Sequence, residues 1–114
     1  MNEYEKLVEE TLAEINIYLP KMIRGIDEFV ECAVQSREQD AKKLLASILE
    51  GLEWIAQAVC LTGRFKPGPM NGQDLMEKLP ELVDACENND YVLMSDILDY
   101  EIKPVLEKWA SQVH

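Results

Sequence analysis

The chain has 114 residues, with 22 acidic against 11 basic side chains and a formal net charge of -11. That length suits one domain burying roughly 65% of the surface its unfolded form exposes, and only five Gly, five Pro and three Cys exclude collagen-like, disordered and disulfide-stapled classes. The charge repels phosphate backbones and anionic headgroups, so nucleic acid and membrane are not expected partners; a basic protein, a cationic peptide or a divalent metal is compatible with it, as is acidity serving solubility alone.

The opening MNEYEKLVEE is acidic where a secretion signal would be basic and then apolar, and no apolar run reaches the ~20 residues of a membrane span. Asn2 with Glu5 forms a capping-box pattern. Apolar residues then recur in steps of four and three: Val8, Leu12, Ile15, Leu19, Met22, Ile26, Phe29 and Ala33. This is a heptad seam, and it keeps its phase across Pro20. It predicts one helix kinked at Pro20, where the carbonyl of Asn16 loses its donor; a full split there is the alternative, because an interior proline costs about 3 kcal/mol.

Ser36, with Gln39 three residues on, reads as the N-cap of a second helix over about 37–62, with Gly63 as its left-handed stop. Its seam is Ala41, Leu45, Ile48, Leu52, Ile55 and Val59. The stretch GRFKPGPMNG, 63–72, holds three Gly and two Pro and is the one segment that resists a helix. A third helix from Asn71 or Gly72 carries Leu75, Leu79, Leu82, Val83 and Cys86; alternatively Pro80 opens a shorter helix at its first turn and leaves 73–79 as a separate turn. After Asn88 and Asn89 a fourth helix, also containing a proline at Pro104, carries Tyr91, Met94, Leu98, Ile102, Val105 and Trp109. Leu19-Pro20 and Leu79-Pro80 each precede an Ile-Leu-acid run and a Trp, a faint echo that suggests two helical hairpins side by side. The expected fold is therefore all-α, a single four-helix up-down bundle over 1–114.

Cys32, Cys60 and Cys86 are widely spaced, with no CxxC pair and no neighbouring His. They read as reduced thiols packed like small hydrophobes, and so as a cytoplasmic protein. The single histidine, His114, ends the chain, so no Ser/His or Cys/His nucleophile can be assembled without it.

The sharpest enzymatic pattern is a pair of carboxylate motifs, Glu28 with Glu31 and Glu50 with Glu53. It resembles the all-α nucleotide pyrophosphohydrolase family, which implies Mg²⁺ held between acidic pairs on adjacent helices and a water presented to a nucleoside triphosphate. In that family the second pair ends in Asp, whereas position 53 here is Glu, and no Lys/Arg set for phosphates accompanies it. Phase opposes the enzyme reading as well. With Ile26 and Phe29 at seam positions a and d, Glu28 falls at c and Glu31 at f; with Leu52 and Ile55 likewise, Glu50 falls at f and Glu53 at b. All four should point outward, too dispersed for chemistry. A further acidic group, Asp96, Asp99 and Glu101, puts the first two outside, and Glu101 at the edge of the stripe needs a partner such as Lys21, Arg24 or a tyrosine hydroxyl.

Trp54 and Leu61 both occupy position c, one heptad apart on a face that should be polar, with Phe65 just beyond. That strip lies off the core. Three readings compete: cover by the 63–72 loop, a self-association face, or a partner-docking face. The tail ENNDYVLMSDILDYEIKPVLEKW, 87–109, resembles the ending of a family of small acidic helical proteins from bacteria that has no assigned function. In size and charge the chain is also similar to bacterial export chaperones. The expectation is a non-catalytic interaction protein without a cofactor or metal, anchored through Trp54, Leu61 and Phe65 on a protein partner or a second copy; the alternative is the Mg²⁺-dependent hydrolase using Glu28, Glu31, Glu50 and Glu53.

Overall fold

The first heptad seam forms a single 32-residue helix, α1 (Glu3–Val34), in the computed structural model, which describes residues 2–113. Its first turn is capped as expected, with the Glu5 N–H donating to Asn2 Oδ1 at 2.8 Å. The helix runs through Pro20 without a split. Pro20 and Asn16 are both exposed, so the carbonyl that loses its donor lies on the solvent side, where water can replace the lost bond.

Ser36 does not cap the second helix; it closes the first. It sits at φ 58°, in the left-handed region. The Arg37 N–H donates to the Cys32 carbonyl and the Ser36 N–H to the Ala33 carbonyl, the paired bonds of a Schellman stop. The sequence pattern misleads because a Ser between two helices fits either end. α2 (Glu38–Phe65) begins after Arg37, which makes no side-chain cap bond. It also continues through Gly63, where no glycine has positive φ, and stops only at Lys66, ahead of Pro67. The residue before a proline is pushed out of the α region, so Pro67 sets the boundary that Gly63 was expected to set.

α1 and α2 are antiparallel. Tyr4 stacks on Phe65 with ring centroids 5.6 Å apart, Tyr18 meets Trp54 at 5.3 Å, and Gly25 faces Ile48. Ile15, Leu19, Met22, Ile26 and Phe29 bury their side chains with Ile48, Leu52, Ile55 and Val59. At Gly51 an added Cβ would run into the Met22 methyl and the Tyr18 hydroxyl, so glycine permits the close approach there. By length and composition alone α2 is apolar enough to cross a membrane, with a mean hydropathy of 1.5 over its best window; here it is packed along α1.

The expected third helix is two pieces, α3 (Gln73–Met76) and α4 (Leu79–Glu87), with Pro80 in the first turn of α4. This is the alternative that Pro80 offered. α4 closes on a second Schellman stop at Asn89, φ 51°, with the Asp90 N–H donating to the Ala85 carbonyl. The last stretch is continuous but not uniform: α5 (Tyr91–Asp96), a π segment (Ile97–Ile102) and α6 (Lys103–Gln112). The widened turn stands just ahead of Pro104, which has no N–H for the Tyr100 carbonyl, and the Lys103 N–H donates five residues back to Leu98. This run packs antiparallel on α1, with Phe29 on Tyr91 at 6.4 Å and α6 ending beside Leu12. Trp109, Leu98, Ile102 and Leu106 are fully buried in that seam. Among the described residues every regular element is thus a helix, without a strand, in a shape of 51 × 22 × 20 Å.

Candidate functional site

Trp54, Leu61 and Phe65 lie along one side of the α1–α2 pair, 38%, 51% and 61% exposed. The loop does not cover them. Gly72 folds instead against Cys60 and the Ala56 carbonyl, where an added Cβ would collide with the Cys60 sulfur. Beneath the strip are two depressions of about 310 and 650 Å³ that share Glu14 and Trp54 and so form one groove. Its α2 wall is Ser47, Glu50, Trp54, Leu61 and Phe65; its α1 wall is Leu7, Thr11, Glu14, Ile17 and Tyr18.

Ile17 stands off the seam at position f by spacing alone; Leu7 and Tyr18 of the α1 wall are what sequence reasoning missed. Leu7 is 59% exposed and stands at position c of its heptad, the off-seam position that Trp54 and Leu61 hold on α2. That coincidence was readable from spacing. Tyr18 was not, because its ring tilts 59° onto Trp54 only once the two helices are in register.

Glu28, Glu31, Glu50 and Glu53 are all exposed. Among the described residues no three His, Cys, Asp or Glu side chains stand together as a metal-binding group. Glu50 borders the groove, while the other three carboxylates are not in its walls.

The partner of Glu101 is neither Lys21 nor Arg24 but Lys78, at 3.8 Å, because the junction of α3 and α4 lies beside the π segment. Asp99 is not free on the surface as expected. The Lys103 ammonium donates to Asp27 Oδ1 at 2.9 Å and approaches Asp99 Oδ1 at 2.8 Å, joining α1 to the π segment. Its hydrogen bonds, to Asp27 first and then Asp99, raise the Lys103 pKa above the ordinary lysine value. Burial, with the Glu87 carboxylate adding to it, raises the Cys86 thiol pKa and keeps it protonated at neutral pH. Cys32, Cys60 and Cys86 are all free thiols. His114 lies outside the described residues.

What the arrangement offers chemically is contact area with a polar edge. Aromatic and aliphatic side chains line an open groove, and the groove walls contain no lysine or arginine. A family model described as "Domain of unknown function (DUF8042)" matches residues 10–112 of the chain, nearly its whole length. No curated protein and no solved structure matches it.

Proposed function

We propose that this chain, which belongs to the DUF8042 family, is a non-catalytic binding protein of the bacterial cytoplasm, built as an up-down bundle of four helices. It holds another protein, or its own copy, along the groove between α1 and α2. The observation that carries this reading is the apolar strip of Leu7, Trp54, Leu61 and Phe65, which the 66–72 loop leaves open beside the closed seam of α1 and α2. Exposed aromatic and aliphatic side chains grouped in one depression are the usual anchors of a protein interface. The outward carboxylates supply electrostatic selection rather than metal chemistry.

Trp54→Ala and Leu61→Ser test it, because both change the strip without opening the core. Binding or self-association, read by light scattering and by titration with a captured partner, should fall at least tenfold while the melting temperature shifts by only about 2–4 °C. A monomer whose melting temperature collapses on Trp54→Ala would return that side chain to the core and end the proposal.

A further inference from the structure

The walls of the groove also state the chemistry of its occupant, an inference that rests on the binding role just proposed. Two carboxylates line the groove from opposite helices: Glu14 on α1, where the two depressions meet, and Glu50 on α2, one turn before Trp54 in the second of them. Glu3 and Glu10 stand one turn either side of Leu7 on α1, and Glu53 adjoins Trp54 on α2; all three are exposed. Cations appear only towards the ends: Lys6 and Lys66 adjoin Leu7 and Phe65, Arg64 lies three residues after Leu61, and Lys21 and Lys43 stand one turn beyond Tyr18 and Ser47. The groove is therefore an apolar surface lined by two carboxylates, with further glutamates close by. Among the described residues, none of these carboxylates takes part in a salt bridge with a lysine or arginine.

A second copy of the chain fits that surface poorly. It would bring the same glutamates against themselves, on two molecules that each carry a net charge of -11, and like charges face to face are costly at an interface. We infer that the groove receives an amphipathic helix from another protein, with an apolar stripe against Leu7, Trp54, Leu61 and Phe65 and lysine or arginine flanking it beside Glu14 and Glu50. The span from Ser47 to Phe65 along α2 is about 27 Å, which a helix of about 18 residues matches. Recognition of this kind reads apolar anchors at three- and four-residue spacing, and flanking charge sets orientation and encounter rate.

The test uses a synthetic helix of about 18 residues with a Leu stripe and Lys flanks, beside the same peptide with Glu for every Lys. Binding to the full chain is tracked by calorimetry and by tryptophan emission, in which half-exposed Trp54 shifts to the blue over the constant signal of buried Trp109. The Lys peptide should bind one to one, with the Glu peptide at least tenfold weaker. Glu14→Lys with Glu50→Lys should weaken it about tenfold, whereas Glu81→Lys with Glu87→Lys, the same charge change on α4, should alter it less than about twofold.

Equal weakening by both double variants would reduce the effect to net charge and overturn the inference, as would equal binding of the two peptides. No peptide bound by a chain that is a dimer, and that Leu61→Ser splits, would overturn it and leave the broader binding role standing. Peptide binding unchanged by Leu61→Ser and Trp54→Ala would overturn both.

Discussion

α1 presents apolar side chains on two sides that end differently. Along the run of α5, π segment and α6, Phe29 and Ile26 are fully buried, Tyr91 covers Phe29, and Lys103 ties Asp27 to the π segment. Along the groove between α1 and α2, Leu7 and Ile17 on α1 and Leu61 on α2 remain more than half exposed. Both sides bear apolar residues at helical spacing. The difference is that a third element lies over one and none over the other, so exposure there reflects topology rather than residue type.

Deleting side chains on the closed side should have the largest effect. Phe29→Ala or Trp109→Ala should cost about 3–5 kcal/mol in denaturant unfolding, since each leaves a cavity in a packed seam. Leu7→Ser and Leu61→Ser on the open side should stay within about 0.5 kcal/mol. If the two sets cost the same, the groove is core and the comparison fails.

Lys103→Met should cost about 1 kcal/mol, the ordinary scale of a partly exposed pair, and double-mutant cycles with Asp27→Asn and Asp99→Asn would apportion it. A lysine whose folded pKa is raised contributes stability that is fully present below its unfolded value of about 10.4 and lost as pH rises through the folded value. The cost of Lys103→Met should therefore be flat between roughly pH 6 and pH 9 and shrink only in strong alkali. A cost that vanished by pH 9 would mean that the ammonium is not held as described.

The smallest effect expected is a gain. Ser36 occupies the left-handed region at φ 58° without being glycine, so Ser36→Gly should raise stability by about 0.5–1 kcal/mol. Asn89, at φ 51°, belongs to a residue type that tolerates that region and should gain less on the same change. A loss at Ser36 would show that its side chain contributes more than the turn costs it.

Which residues face inward was settled by the order of amino acids alone. Steps of three and four from Val8 to Ala33 and from Ala41 to Val59 set the rotational phase of α1 and α2, since a helix repeats every 3.6 residues whatever surrounds it. The same phase placed Glu28, Glu31, Glu50 and Glu53 outside and marked Trp54 and Leu61 as off the core. Helix ends were less legible, because Ser36 and Gly63 each suit more than one role. Each is decided by a residue further along the chain, Arg37 in one case and Pro67 in the other. Partners across the fold were not legible at all: Lys78 for Glu101, Lys103 for Asp27, and Tyr18 for Trp54 meet only after the helices are aligned. Local periodicity needs no neighbour, whereas the choice between a closed seam and an open groove depends on which distant segment comes to lie there.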